Sequence, residues 1–211
     1  MATAEGPQSR RVGRRSIESD RLNRASRLVE LAWRDLPRAH RQLLESVGAA
    51  QWQVVDQPLR RAVEDLLRSA GYERLSARHL GSLKDAAGVW LQDLRIVVID
   101  AGHEALLDLD DSTYEAMVAR IAWHEWGHAL GLVRTAREDI ASGSRLLDLA
   151  PVGIRQRIRR SGYSKNEYTH ELVAELYVLL MSRRRRGERG QPHWLADELY
   201  RLVRRVSGWN D

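Results

Sequence analysis

Apolar residues recur every three or four positions along most of this chain, the period of helices that bury one face. From Arg21 to Ser46 the series Leu22, Leu28, Leu31, Ala32, Leu36, Leu43 and Leu44 predicts two amphipathic helices. They part at Pro37, which lacks the N–H that a helix interior needs. A third helix follows Pro58 with Leu59, Val63, Leu66 and Leu67 and stops at Gly71. After Lys84 the pattern changes. Val89-Trp90-Leu91 and Arg95-Ile96-Val97-Val98-Ile99 are β-favouring runs around Gln92-Asp93-Leu94 and predict an antiparallel hairpin, the one convincing strand pair of the sequence. Helical spacing resumes with Met117, Val118, Ile121, Ala122, Trp126, Ala129 and Leu130. A capping box at Ser112-Thr113-Tyr114-Glu115 opens this helix, and Gly131 closes it after about five turns. A second box, Ser164 to Glu167, leads through Leu172, Val173, Leu176, Leu179 and Leu180 to the run Arg183 to Arg186. The last helix begins near Pro192 with Trp194, Leu195, Leu199, Leu202 and Val203, and no internal repeat is present. The pattern predicts an α+β fold, mainly α, with a small antiparallel sheet.

Composition narrows the chemistry. A chain of 211 residues that is 43% hydrophobic suits one buried core. The stretch 1–19, rich in Gly, Pro, Ser and arginine, reads as a disordered basic tail ahead of a single domain at 20–211. Within that domain 20–74 forms a helical N-terminal region and 75–211 the core. The chain has no cysteine, which excludes disulfides, thiol nucleophiles and Cys-held metals, so any metal here rests on His and carboxylates. Net charge is +5 and nearly all of it is arginine, Lys84 and Lys165 being the only lysines; the tail could make weak contacts with nucleic acid. The longest apolar stretch, Leu172 to Met181, is broken by Glu175 and falls short of the ~18 residues of a membrane span. No secretory signal opens the chain, and the cytoplasm, without membrane association, is the expected location.

The sharpest signal is His124-Glu125-Trp126-Gly127-His128, a match to H-E-x-x-H inside the helix before Gly131. With 7 histidines in the chain a chance match is expected about 0.02 times, so the motif is informative. On a helix the two histidines lie ~40° apart around the axis and ~6 Å along it, and both imidazoles can reach one cation. Glu125 stands ~100° away, beside the metal rather than on it, where a general base acting on water belongs. Two histidines hold zinc weakly, and a third ligand is needed. The subclass that places a His or Asp six residues after the second histidine is excluded, because that position is Arg134. The alternative is a glutamate of a later helix, and Glu171-Leu172-Val173-Ala174-Glu175 offers two on one face. One can bind metal while the other accepts a hydrogen bond from a ligating histidine; alternatively the pair is exposed and faces arginines.

These residues resemble the gluzincin metallopeptidases, which combine H-E-x-x-H with a downstream glutamate. The compact members, such as the catalytic domain of anthrax lethal factor and the peptidase-like domain of plasmid anti-restriction proteins, are the more similar ones. The resemblance spans roughly 86–182 through the histidine motif and the segments Gly162 to Asn166 and Glu171 to Glu175. It implies a zincin-like metallopeptidase domain with an active-site helix and a glutamate helix, acting on a peptide or protein substrate with Zn²⁺. His124, His128 and Glu171 would be the zinc ligands, Glu125 the general base and acid, and Glu175 the outer partner of a ligating histidine. Tyr163 matches the tyrosine that supports the oxyanion in such enzymes, one residue further from the glutamate than in lethal factor, with Tyr168 as the alternative. The strand Ala87 to Leu91 occupies the place where such peptidases bind the substrate backbone.

Other features carry less. His170 reads as a solvent-facing residue that could also reach the site, and His103-Glu104 as loop. Arg155, Arg157, Arg159 and Arg160, with Arg183 to Arg186 and Arg189, read as a solvated face with possible phosphate contacts. A rival class is a non-catalytic metal-binding, nucleic-acid or protein-interaction module with a degenerate site. Restraint by an inhibitory partner, or by the N-terminal region covering the cleft, is a further expectation.

Overall fold

The computed structural model describes residues 7–72, 83 and 86–208, with 7–18, 132 and 133 described by their backbone alone. In chain order the elements are α1 (Pro7–Asp35), α2 (Arg38–Ser46), β1 (Gln51–Val55), α3 (Leu59–Ser69), β2 (Gly88–Leu91) and β3 (Ile96–Asp100). A 3₁₀ turn (Glu104–Leu106) then leads to α4 (Asp111–Arg134), α5 (Arg137–Ala141), α6 (Gly143–Asp148), α7 (Val152–Arg160), α8 (Tyr168–Arg185) and α9 (Asp197–Ser207). Mainly helical character with one small sheet agrees with the apolar periodicity. Among the described residues no helix is long and apolar enough to cross a membrane.

Prolines set several boundaries. Pro37, Pro58 and Pro151 each sit in extended backbone immediately before α2, α3 and α7, where a missing N–H costs nothing. Gly71, at φ +87°, provides the left-handed turn after α3. At the N-terminus the helix reaches further back than its composition suggests. Residues 7–19 of the expected tail belong to α1, with Pro7 in its first position and arginine, a good helix former, throughout; residues 1–6 lie outside the described residues.

The expected hairpin is present as β2 paired antiparallel with β3, but the sheet is mixed, because β1 pairs parallel with β3 and the strand order is β1-β3-β2. In β1 the exposed Gln51 and Gln53 alternate with partly buried Trp52 and Val54, a period-2 signal too short to stand out from the helices around it. Its partner lies far along the chain, beyond α3. That helix packs on the sheet through Leu59, Ala62 and Val63 against Val55 and Val98, forming a small second core.

The main core surrounds α4, which packs against α8, α1, α9 and β2. Trp123 and Trp126 are buried in it, and the Trp123 indole N–H donates to the Ala32 carbonyl at 3.1 Å, tying α1 to α4. Trp126 also contacts Trp33 and Trp52 with ring centroids 5.2 and 6.0 Å apart, so the N-terminal region is part of this same core. The cap of α4 lies earlier than expected. Asp110, not Ser112, accepts hydrogen bonds from the Thr113 N–H at 3.0 Å and from both the Ser112 and Thr113 hydroxyls. At the other end α4 runs through Gly131 to Arg134 rather than stopping at Gly131.

α8 begins at Tyr168; Ser164 to Glu167 forms a turn in which the Ser164 N–H donates to the Glu167 carboxylate at 2.7 Å. α9 begins at Asp197, not near Pro192. The closest approach between α4 and α8 is at Gly127. A Cβ there would stand 2.8 Å from the Ala174 backbone Cα, so only glycine lets the helices cross this tightly.

Candidate metal centre

The tight crossing determines what faces what. Beside it, α4 presents His128, the residue after Gly127, and His124, about one turn before it, to Glu171 on the first turn of α8. The two Nε2 atoms are 3.0 Å apart with the rings nearly perpendicular. His128 Nε2 is 3.3 Å from one Glu171 oxygen and His124 Nε2 3.7 Å from the other. Among the described residues these three form the one group whose ligand atoms all lie within 4.8 Å of one another.

The protonation of this cluster decides what it can hold. Burial lowers the proton affinity of both histidines; the Arg157 and Arg120 charges add to this at His124, against the pull of Glu175, and each neighbouring histidine adds to it at His128. Both rings are therefore neutral near pH 7, and in the tautomers that turn their Nε2 lone pairs inward the two imidazoles and the Glu171 carboxyl can share one cation. Two atoms each ~2.05 Å from a tetrahedral metal lie about 3.3 Å apart, and the observed 3.0, 3.3 and 3.7 Å bracket that value. Two imidazoles and one carboxylate are a donor set that could hold a divalent cation, zinc among them.

Glu125 is 6% exposed and lies against β2. The Trp90 backbone N–H donates to its carboxylate. A Cβ at Gly88 would come within 3.2 Å of its Oε1, so β2 passes close over it because residue 88 is glycine. Burial, and then the Glu171 charge, push Glu125 up to about 8 against the pull of that N–H. Burial likewise raises Glu171 to about 8, opposed by a hydrogen bond from the Tyr163 hydroxyl. A divalent cation among the ligands reverses this for Glu171 by favouring its ionised form.

The glutamates one turn apart on α8 part company. Glu175 receives two hydrogen bonds from the Arg157 guanidinium on α7, at 3.1 and 2.7 Å. Burial pushes it up, but Arg157 and the nearby His124 and Arg120 charges outweigh burial and hold it below the usual carboxylate range. It lies beside His124 electrostatically, while its two oxygens are engaged by Arg157.

The centre lies in a cleft of about 780 Å³ bounded by β2, α4, α7 and α8. Tyr163 lines it beside Glu171, whereas Tyr168 packs against the core and does not line it. His170 does line it, with a buried Nδ1 that has no hydrogen-bond partner, and stands outside the three-residue cluster. His103 caps the 3₁₀ turn by accepting from the Ala105 N–H. Among the described residues, none of the side chains at 19–72 lines the cleft.

Three contributors escaped the sequence reading: Gly127 as the crossing point, the Trp90 backbone N–H, and Arg157 as the partner of Glu175. Only Arg157 left a trace there, as one of the arginines of α7. Comparison of the chain with protein-family models, curated proteins and solved structures finds no match in any of the three.

Proposed function

We propose that this chain is a zinc-dependent peptidase with a zincin-like domain, in which His124, His128 and Glu171 hold the ion. The observation that carries this reading is the convergence of three ligand atoms, on the floor of an open cleft, next to a buried carboxyl that is not a ligand. Bound there, zinc supplies a Lewis acid for the scissile carbonyl and lowers the pKa of water.

The protein's own residues do the rest. Glu125 takes the proton from the attacking water as the new carbon–oxygen bond forms, and returns it to the amine nitrogen as the carbon–nitrogen bond breaks. Its raised proton affinity suits both directions of that transfer near neutral pH. The Tyr163 hydroxyl, kept protonated by burial and the Glu171 charge, donates to the developing oxyanion. β2 is the edge strand of the sheet and lines the cleft, and its backbone pairs with an extended substrate.

The test is elemental analysis and peptide-library hydrolysis on the wild type beside Glu125→Gln. About one zinc per chain in both proteins, with hydrolysis reduced ~10²- to 10⁴-fold in the variant, is the expected result. Absence of zinc from the wild type after it is supplied sinks the reading. Zinc bound without hydrolysis in the wild type leaves a non-catalytic metal module.

A further inference from the structure

A second, smaller space opens directly from the candidate ligands. It has a volume of about 350 Å³, lies at the α7 side of the cleft and shares most of its lining with it, His124, Glu171, Tyr163, Arg157, Arg160 and Glu175 among them. Resting on the peptidase reading above, we infer that this side pocket binds a carboxylate of the substrate next to the scissile bond, which makes the protein selective for peptides that present a carboxylate there.

Glu171 is turned to the histidines and Glu175 is held by both its oxygens on Arg157, so neither carboxylate is left to balance another cation. Arg160, one turn along α7 from Arg157, forms no ion pair among the described residues and lines the same space. Arg120, one turn before His124 on α4, lines the adjoining cleft; its field reaches both His124 and Glu175, and it too makes no ion pair among the described residues. The opposing carboxylate of the cleft, Glu167, does not line the side pocket.

Arg157 is already immobilised by Glu175, and it fixes the wall against which an incoming anion is received. Arg160 can give that anion a paired, charge-assisted hydrogen bond, because a guanidinium fork matches the two oxygens of a carboxylate. The carboxylate can come from an aspartate or glutamate side chain within a peptide or from a free C-terminus. The first makes the protein an endopeptidase with an acidic subsite, the second a carboxypeptidase.

The experiment measures binding, so that it does not depend on turnover. Zinc-loaded Glu125→Gln protein is titrated by fluorescence anisotropy with labelled, C-terminally amidated hexapeptides that carry a central glutamate, leucine or lysine. The leucine peptide with a free C-terminal carboxylate is titrated alongside. At least one carboxylate-bearing probe is expected to bind about tenfold or more tightly than the leucine amide, with the lysine peptide weakest. Arg160→Gln added to that background removes most of the preference, Arg120→Gln removes part of it, and Arg160→Lys restores part of it. Both arginines are exposed, and near-UV circular dichroism checks that each variant keeps its packing. The tighter of the two carboxylate probes names the source.

Equal affinity for all four peptides overturns the inference, as does a preference that survives both arginine substitutions. Displacement by a single-stranded oligonucleotide through the same arginines, with no preference among the peptides, overturns it in favour of a nucleic-acid ligand. Zinc content and wild-type cleavage of the same peptides separate the two levels of the argument. Zinc-dependent cleavage without preference for either carboxylate-bearing peptide sinks the pocket alone, whereas absence of both zinc and cleavage sinks the peptidase reading and the pocket with it.

Discussion

Helix α8 takes part in two histidine sites with opposite chemistry. Toward its middle the Tyr177 hydroxyl meets His40 Nδ1 of α2 at 3.0 Å, both residues being buried. Near its start Glu171 meets His124 and His128, and there two ring nitrogens and a carboxyl converge. At His40, burial and the Arg184 charge depress the ring to about 4, and a neutral hydrogen-bond partner is sufficient. At the other site the rings are just as neutral, but their neighbour is a carboxylate and the space beside them opens to the cleft. A buried histidine with a neutral partner builds a core; half-buried histidines aimed at a carboxyl beside a cleft build a candidate place for a cation.

The contrast can be broken from either side, and the unfolding free energy in urea reads each outcome. Metal is the largest lever. With zinc at a thousandfold excess over its dissociation constant the wild type gains about 4 kcal/mol over the chelated protein. Glu171→Ala gains almost nothing, because a ligand is lost, whereas His40→Gln gains as much as the wild type. A gain that persists in Glu171→Ala rules out this ligand set.

Acid is the next lever and acts at the other site. The unfolded chain binds the His40 proton near 6.5 and the folded chain near 4, so the folded state is favoured above 6.5 and loses that advantage as pH falls toward 4. The loss from this residue is about 3 kcal/mol, to be measured in chelator with urea midpoints at pH 7, 5.5 and 4.5. His40→Gln is less stable at pH 7 and shows a shallower decline; an equally steep one disproves the assignment.

Gly127→Ala strikes the crossing on which the metal centre depends. The new methyl would stand 2.8 Å from the Ala174 Cα, and α8 must shift to admit it. The expected cost is about 1–3 kcal/mol, with weaker zinc retention against a competing chelator. Unchanged zinc affinity in this variant would show that the crossing does not set the ligand geometry. The smallest effect is expected for Tyr163→Phe, which removes the hydrogen bond to Glu171 for about 1 kcal/mol of stability. That variant keeps its zinc, while hydrolysis falls by more than the stability loss explains.

Much of this protein was legible from its residues. The helices that follow Pro37 and Pro58, the hairpin, and the long motif-bearing helix all follow from local period and punctuation. β1 did not, because five residues with two glutamines acquire meaning only beside β3, far along the chain. The misplaced cap of α4 shows a related limit. Asp110 and Ser112 both carry suitable oxygens, and the choice rests on which of them reaches the Thr113 N–H.

The same division runs through the metal centre. Sequence alone determined that His124 and His128 share a helix face, with Glu125 to one side, since a spacing of four on a 3.6-residue turn permits nothing else. It also determined that Glu171 and Glu175 share a face of α8, and there it stopped. Which glutamate meets the histidines depends on where α4 and α8 cross and on what stands beside the other one. The glycine at 127 pressed on Ala174 and the guanidinium of Arg157 across from Glu175 supply those two facts. Both are contacts between segments distant in the chain, and a local pattern carries no record of them.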